Sequence, residues 1–203
     1  AIALCSAPVM LGLLVTAEPF ILTVFGERWR EVIPLLQVLS LVGLAQSMNA
    51  TVGWIYNSQG RTDLQFRFLL VGAGLTYAAF AVGLRWGMLG ITVAYATRVY
   101  ATTYFNYLIP GKLIGMRVRE VGAAVIGPLA CASAMAAVVH VLDRLVLRAT
   151  WMSLRLAALS FVGALLYVAL LRVFGVAALE DVLALLRERW SKRRRARSQP
   201  SPT

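Results

Sequence analysis

From Val32 to Gly60 the chain carries no Asp, Glu, Lys or Arg, and this run lies between the polar knots FGERWRE (Phe25 to Glu31) and QGRTDLQFR (Gln59 to Arg67). A bilayer core about 30 Å thick is crossed by about 20 apolar residues in helical conformation, so the run is long enough to span. Five further apolar runs share the pattern. Hydrophobic residues make up 60% of the chain and charged residues 14%, where soluble domains carry roughly a quarter charged. The expected fold class is therefore all-α and transmembrane, with six membrane-spanning helices.

The spans are predicted at 1–24, 32–56, 68–84, 86–109, 121–142 and 151–171. Pro8 and Pro19 are expected to kink the first, and Pro110-Gly111 to end the fourth. Neighbouring helices re-satisfy the backbone groups that such residues free. Gly60 should end the second helix, with Thr62-Asp63-Leu64-Gln65 as a capping box opening the third. Arg155, near the start of the sixth span, should snorkel to the interface. The chain opens AIALCSAP, with neither Met nor a basic start. That reads as the inside of a helix already under way, so the chain is expected to be the trailing piece of a longer one.

The net charge of +11 comes from basic residues in short loops and in the tail. That placement follows membrane topology and gives no reason to expect nucleic acid as a partner. One set of loops holds Arg61, Arg67, Lys112, Arg117, Arg119 and the tail; the other holds Arg28, Arg30, Arg85, Arg144 and Arg148. The heavier first set is predicted to be cytoplasmic, which puts the C-terminus in the cytoplasm. Trp29, Trp86 and Trp151 then all fall at the outer boundary, as an aromatic belt requires. After Gly175, Leu179, Val182, Leu186 and Trp190 share one helical face, which predicts a short amphipathic surface helix over 176–191. The basic residues from Lys192 to Arg197 would hold to anionic membrane lipids, and 192–203 reads as a disordered tail.

Arg98 is the sharpest functional signal, about 18 Å along its helix from Trp86 and so near mid-membrane. An Arg at that depth costs about 2.5–3.5 kcal/mol on insertion scales, so it must face protein or a wet cavity. Two readings stay open. It is a site for an anionic group such as phosphate, or it ties helices together through carbonyls or a carboxylate. Glu18 overlaps it in depth and is the candidate carboxylate partner. Polar stripes at helical spacing accompany it: Gln46, Asn49, Gly53 and Asn57 on one helix, Tyr95, Arg98, Thr102 and Asn106 on another. Each either joins helices or lines a polar path. The candidate substrate-binding residues are thus Arg98, Tyr95, Thr102, Asn106, Gln46 and Asn49.

Cys5 and Cys131 sit in apolar runs and read as small buried side chains, with no metal spacing. His140 and Asp143 share a helical face at a span boundary, where His140 should hydrogen-bond its neighbour. No HExxH, DxD or nucleophile elbow occurs. Neither a cofactor nor an enzymatic activity is expected.

Four segments carry a family resemblance: AEPFILTVFGERW (Ala17 to Trp29), IPLLQVLSLVGLAQSMN (Ile33 to Asn49), QGRTDLQFR, and GMLGITVAYA (Gly87 to Ala96). In order and spacing they resemble the later helices of bacterial polysaccharide flippases. These are the lipopolysaccharide and exopolysaccharide exporters of the multidrug/oligosaccharidyl-lipid/polysaccharide superfamily. The likeness covers Leu11 to Gly115, and departs from the family where Thr62 replaces a common Pro. It implies a two-lobed bundle of which 1–110 is the last four helices of the second lobe and 111–175 two additional helices. It also implies a bacterial inner-membrane protein whose partner is an oligosaccharide on a polyprenyl diphosphate carrier. The family's phosphate-binding arginines lie in helices this chain does not contain, so Arg98 is not carried over from it. A drug or cation exporter of the same superfamily is the alternative within transport. A membrane scaffold partnering the polysaccharide polymerase machinery is the alternative from another class.

Overall fold

The computed structural model describes residues 2–58, 60–113, 118–147 and 151–173, with side chains outside 50–56, 108–124 and 146–150. The surface helix at 176–191 and the tail at 192–203 lie outside the described residues. Six α-helices take the places of the six apolar runs: α1 (Ile2–Val24), α2 (Ile33–Ser58), α3 (Thr62–Gly83), α4 (Gly87–Leu113), α5 (Val118–Leu142) and α6 (Met152–Val173). No strand occurs among the described residues.

Five stretches are long and apolar enough to cross a membrane: Ile2–Val24, Glu27–Asn49, Thr62–Tyr107, Val125–Leu145 and Met152–Val173. The third, of 46 residues, would be about 69 Å long as one straight helix, more than twice the hydrocarbon thickness. It is instead a hairpin. A 3₁₀ turn at Leu84–Trp86 reverses the chain, and Gly87 takes φ 70°, which only glycine adopts without strain. Gly83 and Gly90 then meet backbone to backbone. A Cβ on Gly83 would stand 2.6 Å from Ile91 Cα, and one on Gly90 2.5 Å from Gly83 O. The turns before α2 and α3 also use glycine in the left-handed region, at Gly26 (φ 85°) and Gly60 (φ 63°).

Interhelical contacts fix the directions. Leu4 of α1 meets Tyr167 of α6 at one end, and Glu18 meets Arg155 at the other, so α1 and α6 run antiparallel. Gln46 and Asn49 of α2 meet Tyr95 and Thr103 of α4 in ascending order, so α2 and α4 run parallel. Trp29, Trp86 and Trp151 therefore share one end of the bundle, each exposed beside a helix terminus. We refer to it as the tryptophan end.

Two apolar clusters hold the helices. The larger joins α1, α2, α5 and α6 through Leu4, Ala7, Leu11, Leu44, Ala132, Met135, Val139 and Leu159. The smaller joins α2 to α4 through Val42, Ala45 and Val99. Small residues are prominent in both, with Ala7, Ala45 and Ala132 buried between helices, as expected where hydrocarbon removes the hydrophobic drive and packing decides. The outer helix α3 turns Phe66, Leu69, Val71 and Tyr77 outward, exposed. Water would penalise such a surface; lipid does not.

Several local expectations are corrected. Thr62 is the first helical residue of α3, Arg61 takes the cap position, and no side chain caps the helix. The backbone of α4 continues through Pro110 and Gly111 to Leu113. Cys131 is buried but Cys5 is exposed.

A polar seam between the second and fourth helices

On α2 and α4, spacing of three and four residues puts the polar side chains on facing stripes. The structure brings three of the predicted residues, Gln46, Asn49 and Tyr95, into this seam. Gln46 Nε2 donates to Tyr95 Oη at 2.5 Å. Asn49 Nδ2 donates to Thr103 Oγ1 at 3.4 Å. The Thr103 hydroxyl proton goes to Val99 O at 2.8 Å, which leaves its oxygen as an acceptor and sets the orientation of the Asn49 amide. Tyr100 Oη adds a bond to Leu41 O at 2.7 Å. Thr103 and Tyr100 were missed in the sequence. Thr103 lies one position past the polar stripe and Tyr100 two positions from its nearest members, so the stripe's period marks neither.

Arg98 turns the other way, to α3. Its Nη2 donates to Gly72 O at 2.6 Å, and a Cβ on Gly72 would lie 2.6 Å from that nitrogen. Glycine at 72 is therefore what admits the guanidinium. Thr102 Oγ1 bonds back to Arg98 O at 2.9 Å and Val99 O at 3.2 Å, so its hydroxyl is satisfied within α4. Asn106 is half-buried, Asn57 is exposed, and the Gly53 position lies outside the described side chains. Among the described residues, two buried side-chain polar atoms have no partner: Arg98 Nε and Asn49 Oδ1. Each belongs to a residue singled out from the sequence. A buried donor or acceptor left this way costs about 1–3 kcal/mol, and more where the group is charged.

Depth along the sequence alone makes Glu18 the candidate partner of Arg98. The structure places it elsewhere. Glu18 Oε2 lies 3.8 Å from Arg155 Nη2, and Glu18 Oε1 lies 3.9 Å from Arg30 Nη1. Arg155 does not snorkel. Its side chain is 5% exposed and grips Asp143 with Nε–Oδ1 at 2.5 Å and Nη2–Oδ2 at 2.7 Å. Asp143 thus serves Arg155 and not His140, which is exposed. The missed pair is separated by 12 positions across a helix break, a spacing that no single-helix periodicity reveals. A separate apolar groove of about 610 Å³ runs between α1, α5 and α6, and none of the predicted polar residues lines it.

Among characterised proteins, the chain is 31% identical over 115 residues to the lipopolysaccharide biosynthesis protein WzxC of Escherichia coli, covering 56% of this chain and 23% of that one. It is 32% identical over 123 residues to the teichuronic acid biosynthesis protein TuaB of Bacillus subtilis, covering 58% and 24%. An uncharacterized membrane protein in the cps region of Klebsiella pneumoniae is 28% identical over 89 residues, covering 43% and 18%. The match thus spans about a quarter or less of the length of these relatives. No family profile matches the chain. No solved structure matches it. The chain is a multi-pass membrane protein, and its resemblance to the polysaccharide flippases of the multidrug/oligosaccharidyl-lipid/polysaccharide superfamily is borne out by these relatives.

Proposed function

We propose that this chain forms part of a flippase that moves an oligosaccharide on a polyprenyl diphosphate carrier across the bacterial inner membrane, for lipopolysaccharide, capsule or exopolysaccharide synthesis. In this reading six helices cross the membrane, the tryptophan end faces outward and the C-terminus lies in the cytoplasm. The first four helices belong to the second lobe, and the last two are additions packed on α1. The observation that carries the reading is Arg98. A guanidinium stands near mid-membrane, anchored on one side by Gly72 O, with a buried Nε–H still free. A half-satisfied cation at that depth suits a transient anionic guest better than a permanent tie, because a permanent tie would satisfy the whole fork. Asn49 Oδ1 offers a matching acceptor for a sugar or amide donor. Gln46 and Tyr95 bond each other and serve chiefly to hold α2 to α4.

The cation-exporter alternative needs an intramembrane carboxylate free to exchange ions. Glu18 is the candidate for that role, and it stands between two arginines, so the observations favour the flippase. The test is Arg98→Gln in the intact protein. Surface polysaccharide should fall, with carrier-linked oligosaccharide accumulating on the inner leaflet while the protein remains in the membrane. Normal export would reduce Arg98 to helix packing.

A further inference from the structure

Among the described residues, helices α1 and α6 are tied by one polar contact near each end. Tyr167 Oη donates to Leu4 O at 2.9 Å, fully inside the bundle. Twelve residues earlier on α6, about 18 Å away along the axis, Arg155 faces Glu18 at 3.8 Å. The two ties differ in kind. The first is neutral, short and buried. The second is long, and its carboxylate is 44% exposed and shared with Arg30 at 3.9 Å.

Releasing Glu18 strands no buried charge. Arg155 keeps Asp143 as a two-point partner. Arg30 keeps Glu27, whose Oε1 accepts from its Nε at 2.7 Å. Releasing Tyr167 would instead leave a buried hydroxyl without its acceptor, which carries a desolvation cost. The chain around Glu18 is also suited to movement. Pro19 follows it inside α1 and cannot donate the backbone bond to the preceding turn. On the other side, Asp143 opens a π turn at Asp143–Leu147 that ends α5, a helix irregularity often found at functional positions.

We infer that Glu18 and Arg155 form a breakable latch at the tryptophan end. The α5–α6 hairpin pivots about the Tyr167–Leu4 contact, and opening parts α6 from α1 along the apolar groove bordered by Gly12, Thr16, Leu159, Ser160 and Gly163. Asp143 travels with Arg155, so the hairpin moves as a unit. The contact functions as a gate rather than a structural staple.

Thiol accessibility in the intact protein in liposomes tests this, in a background carrying Cys5→Ala and Cys131→Ala. Leu159→Cys and Leu171→Cys report on positions 1% and 2% exposed, near the latch and near the pivot respectively. With Glu18→Gln added, a water-soluble maleimide should label position 159 about tenfold faster, equivalent to about 1.4 kcal/mol, and position 171 at an unchanged rate. An unchanged rate at 159 overturns the latch. Equal acceleration at both positions overturns the pivot, because it reports general loosening. Should Glu18→Gln not accumulate, Glu18→Asp, one methylene shorter, should accelerate position 159 by a smaller factor, and no acceleration overturns the proposal. No substrate enters the assay, so its outcome is independent of the transport reading.

Discussion

Gly72→Ala separates the position of the Arg98 charge from its presence. The added Cβ would lie 2.6 Å from Arg98 Nη2 and 3.9 Å from Cζ, with no other neighbour within 4 Å. The clash falls on the far end of a flexible side chain, so the guanidinium moves and the backbone does not. What is lost is the 2.6 Å bond from Nη2 to Gly72 O. Hydrogen bonds to charged groups contribute about 1.5–3 kcal/mol in water-soluble proteins, but interhelical ones in membranes average nearer 0.6 kcal/mol. Against this, Ala gains about 1 kcal/mol over Gly within a helix. The two effects nearly cancel, so the stability of the detergent-solubilised protein should change by less than about 1 kcal/mol. Export should nevertheless fall as expected for Arg98→Gln, because the cation no longer points where Gly72 O holds it. The assay is surface polysaccharide per membrane-inserted protein, measured for both variants. Normal export in Gly72→Ala beside a defective Arg98→Gln would refute the reasoning, since charge alone would then suffice.

Two further outcomes follow from contacts of the same kind. Gly83→Ala and Gly90→Ala meet backbone atoms of the opposing helix at 2.5–2.6 Å, so each should destabilise the α3–α4 hairpin by about 1–3 kcal/mol. Gly74→Ala has nothing within 4 Å and should be neutral or better; chemical denaturation of the solubilised protein compares the three. Asp143→Asn removes the close partner of a side chain that is 5% exposed. Breaking a buried pair costs about 3–5 kcal/mol, and the nearby Glu18 should hold the loss to the lower end. Thermal unfolding followed by tryptophan fluorescence reads it, and a loss near zero would mean that Arg155 reaches water.

Apolar run length was enough to locate all six helices, because a helix in hydrocarbon has no alternative way to satisfy its backbone. The predicted and observed limits differ by a few residues at most, except at α3. There the helix starts at Thr62, where the capping-box reading opens it, six residues before the apolar span at 68. The polar stripes were legible for the same reason. A period of three and four residues on α2 and α4 singled out Gln46, Tyr95 and Asn49, but not Thr103, the residue that Asn49 meets. The charges were less legible. Arg98 and Arg155 both lie in apolar helices, and depth marked the first as functional and the second as a snorkelling boundary residue. Depth measures how far a charge is from water along its own helix, but not what faces it. Facing is decided by crossings between helices, and those depend on where Gly72 lets α3 approach and where the π turn aims Asp143. The result reverses the simple expectation. The shallow arginine is the fully paired one, held by Asp143 and approached by Glu18, while the deep arginine keeps a buried donor free. Under the proposed transport role the difference has a physical sense: Arg155 keeps its charge neutralised by Asp143 whether or not Glu18 stays in contact, whereas Arg98 holds a donor that an anionic guest could take.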